Sequence, residues 1–335
     1  MSEAVLQGGD VLVRARGALR RLTLNRPAAL NAITLDMAVT MTAWLRSWAE
    51  DPAVGAILLN GAGDRLPERF WATEYHLNVL IARHAKPVIA VMDGVVMGGG
   101  VGLSAHASHR VVTDRSAVAM PEVGIGFFPD VGVSFLLARV PGLIGSHVAL
   151  TGERLAAADA IQSGLADIHI ATEKLAELPS SLADCRNAGD AWVRLEQLST
   201  PPPPGRLAAA RDWIERCYGA DDVETIVETL RGCDNDGARA ARQAMQRASP
   251  TSLKVTLRNL HSALSFRRVE EGFQQDYRIA LACIDGHDFI EGIRAAIVDK
   301  DRNPAWRPDK LTAVTPDIVE RHFQSVGALE LKFGD

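Results

Sequence analysis

The stretch from Lys86 to Gly132 constrains this chain more than any other. After Pro87, the run Val88-Ile-Ala-Val-Met92 is apolar without alternation, the pattern of a strand buried on both faces of a sheet. Asp93-Gly94 punctuates it as a turn. Three consecutive glycines, Gly98, Gly99 and Gly100, then open an apolar stretch of helical character. Adjacent glycines let backbone N–H groups approach a ligand atom closely, and a helix N-terminus adds a favourable dipole. Two carboxylates follow, Glu122 and Asp130, each directly after a proline and in surroundings almost free of charge. Such surroundings raise a carboxylate's pKa toward the range useful for general acid–base work. This order of events predicts a turn that stabilises an oxyanion and carboxylates that move protons. Taken alone, the glycines serve tight packing equally well, and the carboxylates could simply cap a turn and brace a loop.

Better-known glycine motifs fit badly. Gly94-x-x-x-x-Gly99 continues into Gly100-Val101 and not Lys-Ser/Thr, so it is no P-loop, and no Gly-x-Gly-x-x-Gly opens there. Gly102-Leu-Ser104-Ala-His106 lacks the final glycine of a nucleophile elbow, which argues against a serine hydrolase.

Bulk properties narrow the class further. At 335 residues the chain can bury a large core, and its 47% apolar and 23% charged residues are ordinary for a globular protein. A net charge of −5 provides no basic footprint, so no nucleic-acid partner is expected. No apolar run is long enough to span a bilayer, and the first residues lack the basic and apolar regions of a secretory signal. Cys185, Cys217, Cys233 and Cys283 are widely spaced and read as reduced thiols of a cytoplasmic protein. No His-Glu-x-x-His or Cys/His cluster proposes a metal site.

The pattern along the chain predicts an α/β domain followed by helices. Residues 11–16 and 19–24 alternate as a hairpin about Gly17, 25–31 form a loop, and 35–48 carry apolar residues at helical spacing. A strand over 54–59, a helix over 70–84 and short strands to about residue 170 complete the first part. Helical periodicity then dominates at 157–164, 191–198, 207–218, 223–231, 238–248 and 252–265. Pro201 to Pro204 cannot continue a helix and suggest a linker, giving domains of 1–196 and 197–335.

Met97-Gly-Gly-Gly-Val-Gly-Leu-Ser104, Met120-Pro-Glu122 and Phe128-Pro-Asp130-Val-Gly132 resemble the 3-hydroxyisobutyryl-CoA hydrolase branch of the crotonase (enoyl-CoA hydratase/isomerase) superfamily. The resemblance covers nearly the whole chain. It extends to Leu24-Asn-Arg-Pro-Ala-Ala-Leu-Asn-Ala32, Leu150-Thr-Gly, Gly164-Leu-Ala-Asp167, Asp276-Tyr-Arg, His287-Asp-Phe-Ile-Glu-Gly-Ile-Arg-Ala and Asp299-Lys-Asp-Arg-Asn-Pro-Ala-Trp306. It implies an α/β ClpP/crotonase-like ββα spiral core with a helical C-terminal portion. It also implies thioester hydrolysis of an acyl-CoA in valine breakdown, with no cofactor beyond the coenzyme A of the substrate. A homo-oligomer, a trimer or a pair of trimers, belongs to the same implication. Hydratases of the superfamily carry a catalytic glutamate where Gly102 stands. By the same resemblance Gly99 donates a backbone N–H to the thioester oxygen, flanked by Gly98 and Gly100 at the substrate. Glu122 and Asp130 become the catalytic carboxylates, and Glu74 lines the substrate pocket. Helical pattern alone would leave Glu74 on a solvated face.

One departure stands out. The superfamily places a second oxyanion N–H in a loop after the strand ending here at Asn60, and roughly two dozen of its positions have no counterpart between Arg65 and Leu66. Two other readings therefore stay open: a hydratase or isomerase of the same fold, and a catalytically silent acyl-CoA binder.

Overall fold

The computed structural model describes residues 4–26, 33–60 and 68–334. The loop expected over 25–31 beyond Arg26 and the Arg65–Leu66 junction lie outside the described residues. The chain divides into two compact units that are not contiguous in sequence. One holds residues up to 118, 155–161 and 165–204; the other holds 119–154, 162–164 and 205 onward.

The first unit is built on a sheet. Its strands are β1 (Ala4–Gln7), β2 (Val11–Arg16), β3 (Leu19–Leu24), β4 (Ala56–Asn60), β5 (Val88–Met92), β6 (Val95–Met97), β7 (His109–Val112), β8 (Ala117–Ala119) and β9 (Ile168–His169). Seven of them form one sheet in the order β1-β2-β3-β4-β5-β7-β9, while β6 and β8 make a separate ribbon. Pairing is antiparallel from β1 to β3 and parallel from β3 to β9. Parallel neighbours need crossover connections, which α1 (Leu35–Ala49) and α2 (Glu68–Ala82) provide. Thr34 starts α1 by accepting the Met37 N–H at 3.2 Å, and Met37, Met41, Leu45 and Trp48 form its buried stripe.

Burial on both faces explains why β5 reads as an unbroken apolar run. Ile89 packs with Leu19, Leu58, Val111, Leu182 and Leu195 in one core cluster, closed by the segment that follows β9. Each such side chain contributes about 1.5–3 kcal/mol.

The second unit is largely helical, with helices Leu207–Cys217, Val223–Gly232, Asp236–Arg247 and Pro250–Ala263 starting within two residues of the periodicity-based expectation. Two differences stand out. Residues 119–154, expected to hold short strands, form a 3-10 turn (Glu122–Ile125) and helices Val133–Leu137 and Ile144–Thr151. Tertiary packing organises that stretch: Gly152 abuts Pro121, and Ile144–Thr151 lies against Leu207–Cys217. The 16-residue helix Val269–Ile284 was not anticipated, because Glu270, Gly272 and Asp276 interrupt its apolar stripe of Phe273, Tyr277, Ala280 and Cys283. The first unit ends at Pro204, and the second draws in 119–154 from mid-chain, which a single cut at 196/197 does not do.

Candidate active site

Gly98, Gly99, Gly100 and Glu74 belong to the first unit, Glu122 and Asp130 to the second. In the first, β5 is followed by Asp93, whose Oδ1 accepts from Thr113 Oγ1 at 2.6 Å and Arg115 Nε at 3.0 Å, fixing the turn before β6. Gly98 then adopts φ 52°, ψ −124°, a conformation open only to glycine, and α3 (Gly99–Ser104) begins. The N–H groups of Val101 and Gly102 both reach the Gly98 carbonyl, at 2.8 and 3.1 Å. Gly99 and Gly100, as the first helical residues, have no intrahelical acceptor for their own N–H groups. Both are half-buried, where an N–H dipole is worth more to a ligand oxygen than in open water. Ser104 is buried with its hydroxyl turned back to the Gly100 carbonyl at 2.8 Å, a backbone-bonding role and not that of an activated nucleophile.

Glu74 is 2% exposed, so the solvated-face alternative fails. It shares a buried stripe of α2 with Phe70, Trp71, Leu77 and Ile81. A methyl group at Gly99 would lie 2.5 Å from Glu74 Oε1 and 3.5 Å from Ile33 Cδ1, so the fold brings Glu74 and Gly99 together. One turn on, Asn78 is fully buried, with neither amide atom hydrogen-bonded among the described residues.

In the second unit both carboxylates sit on buried turns. Glu122 opens the 3-10 turn, which closes when Phe127 N–H reaches the Glu122 carbonyl at 3.0 Å. Three contacts fix that turn from outside. Ser249 N–H donates to the Val123 carbonyl at 3.0 Å, a methyl at Gly126 would lie 2.1 Å from the Asp288 carbonyl, and a methyl at Gly292 would lie 2.1 Å from the Ile125 carbonyl. Asp288 is held in turn by Ser249 Oγ at 2.5 Å and Arg307 N–H at 2.7 Å, while burial pushes its carboxyl above the usual range.

Asp130 is 5% exposed and precedes two residues of left-handed backbone, Val131 (φ 55°) and Gly132 (φ 70°). A β-branched residue in that region stores about 1–3 kcal/mol of strain and persists only where its surroundings hold it. Here the Gly132 N–H donates to Asp276 Oδ2 at 2.7 Å, and Asn259 Nδ2 donates to Asp276 Oδ1 at 3.1 Å. Complete burial, with the Asp130 carboxylate nearby, pushes the Asp276 carboxyl well above the ordinary range, against both donors. Burial, Asp130 and Asp288 likewise push the Cys283 thiol up, so it is a packed and unreactive thiol.

Sequence reasoning missed Asp276, Asn259, Ser249 and Asp288 as parts of this arrangement. The usable signal was a charge inside an apolar helical stripe, Phe273-x-x-Asp276-Tyr277-x-x-Ala280. Among the described residues no group of three or more His, Cys, Asp or Glu side chains could hold a metal ion, and no helix is long and apolar enough to cross a membrane.

Comparison with known proteins adds context. The family model described as enoyl-CoA hydratase/isomerase matches residues 19–67 and 64–323. The chain is 37% identical to the mitochondrial 3-hydroxyisobutyryl-CoA hydrolase of Xenopus laevis, covering 99% of this chain and 93% of that one. It is 38% identical to the mitochondrial enzyme of the same name from Rattus norvegicus, over 97% and 91% of the two chains. The crystal structure of a carnitinyl-CoA dehydratase from Mycobacterium thermoresistibile superimposes with a TM-score of 0.90 at 41% identity, covering 97% of this chain and 99% of that one. The Xenopus alignment spans 360 positions against 335 residues here, so at least 25 positions of the relative have no counterpart. The family match breaks at 64–67, where the sequence departs from the family pattern.

The names of these relatives overturn one expectation. Both hydrolases are named mitochondrial, which contradicts a cytoplasmic assignment. Unpaired thiols report only a reducing environment, and the mitochondrial matrix is one as much as the cytosol.

Proposed function

The chain belongs to the enoyl-CoA hydratase/isomerase (crotonase) family, and from that premise we propose that it is a CoA-thioester hydrolase acting on 3-hydroxyisobutyryl-CoA. The observation that carries this reading is near-complete coverage, at 37–38% identity, of relatives named for that activity. The local geometry supports the residue roles. The Gly99 N–H, unclaimed within its helix, donates to the thioester oxygen as negative charge develops there, and Gly98 and Gly100 shape the same turn. Such a donor stabilises the transition state by about 3–4 kcal/mol. Glu122 takes a proton from the water that attacks the thioester carbon, or itself attacks to form a transient acyl anhydride that water then hydrolyses, releasing the acid and freeing the Glu122 carboxylate. Collapse of the tetrahedral intermediate breaks the C–S bond and expels coenzyme A as thiolate, which takes a proton from a carboxyl group. Asp130 orients the substrate 3-hydroxyl or shares that proton work, and Glu74 walls the acyl group beside Gly99.

A second reading is suggested by the structural neighbour, which is named a carnitinyl-CoA dehydratase. Against it stands Gly102, which leaves no carboxylate at the position where hydratases carry one. Following thiol release from 3-hydroxyisobutyryl-CoA and loss of the enoyl chromophore of crotonyl-CoA in parallel decides between them. Thiol release without hydration is expected. Hydration of crotonyl-CoA with no thiol released would replace the hydrolase by a hydratase.

A further inference from the structure

We propose that Asp276 is a positioning residue for Asp130: by accepting the Gly132 N–H it anchors the left-handed turn that sets where the Asp130 carboxyl stands. The inference rests on the reading of Asp130 as a working carboxylate. The anchoring bond is 2.7 Å long and joins residues 144 positions apart, so a helix remote in sequence holds the turn. Both Asp276 oxygens are committed, Oδ2 to Gly132 and Oδ1 to Asn259 Nδ2 at 3.1 Å, and Gln275 Nε2 donates to Asn259 Oδ1 in turn. The side chain therefore cannot rotate away. Val131, forced to φ 55°, would relax to extended backbone without such a hold and would carry Asp130 with it.

Stability alone does not account for this residue. Asp276 is 0% exposed, among the described residues no cation pairs with it, and its charged neighbour is another carboxylate. An apolar residue of similar volume would avoid that desolvation cost. What it could not do is accept the Gly132 N–H.

The test compares Asp276→Leu, which fills the volume without an acceptor, with Asp276→Asn, which keeps an oxygen for Gly132. Each is made alone and combined with Asp130→Asn, and folding is checked by circular dichroism. Asp276→Leu is expected to lower kcat by about 30-fold or more with KM within about threefold, and Asp276→Asn to keep kcat within about threefold. In the Asp130→Asn background, Asp276→Leu should cost less than about threefold further, because a residue acting only through Asp130 has nothing left to position. Folded Asp276→Leu with near wild-type kcat overturns the proposal, as does an equal loss in both backgrounds. If Asp276→Leu does not fold, Asp276→Asn decides: a loss as large as that of Asp130→Asn rules out the acceptor role. Wild-type hydrolysis by Asp130→Asn itself shows instead that the reading of Asp130 is wrong, and removes this inference with it.

Discussion

Glu74 and Gly99 are in such close apposition that a methyl group on the glycine would lie 2.5 Å from the carboxylate Oε1. The carboxylate is the far end of a side chain and can move, but Glu74 is buried and has little room to do so. Gly99→Ala is therefore expected to lower CoA release at least about 10-fold and to cost about 1–3 kcal/mol of stability. At Gly100 the added methyl meets only Val96 Cγ1, at 3.4 Å. Gly100→Ala is the control for stability alone, and an equal loss of stability in both variants would show that the Glu74 contact is not the cause.

Glu122→Gln keeps the shape of the turn and removes the base. Thiol release should fall about 100-fold or more, mostly in kcat. Nearly unchanged turnover would reject Glu122 as the catalytic carboxylate.

Gly292 bears on the same turn from the helix His287–Ile293. A methyl there would lie 2.1 Å from the Ile125 carbonyl oxygen and 2.3 Å from its carbon, and backbone cannot rotate aside. Gly292→Ala should destabilise the protein by about 3 kcal/mol and depress kcat as the Glu122–Ile125 turn shifts. Urea melts and steady-state kinetics read the two effects. A stable, fully active variant would mean that this contact does not hold the turn.

Asp276 also predicts a pH dependence of stability. Its folded-state pKa is raised above the ordinary 3.8, so its favourable contribution is complete below that value and is lost as pH rises through the folded pKa. Asp276→Asn has no such loss. Its stability relative to wild type should thus improve as pH rises above about 4 in thermal melts, and a difference that shrinks with pH would contradict the raised pKa.

Much of this was legible in the sequence because it depends on neighbours in the chain. The unbroken run Val88–Met92 specified a strand covered on both faces, Asp93-Gly94 its turn, and the glycine triplet a helix start whose first N–H groups lack partners. The stripe of α1 and the starts of the helices from Leu207 to Ala263 followed from apolar periodicity. Proline and low local charge singled out Glu122 and Asp130, and family resemblance supplied their chemistry and that of Glu74. Tertiary structure alone decided how these residues are held. Residues 119–154 became turns and short helices because they pack on the helical unit, a preference that no window of the sequence contains. Asp276 meets Gly132 across 144 positions, and Gly292 meets Ile125 backbone to backbone. Pairings of that kind arise from long-range packing, which periodicity and local propensity do not encode.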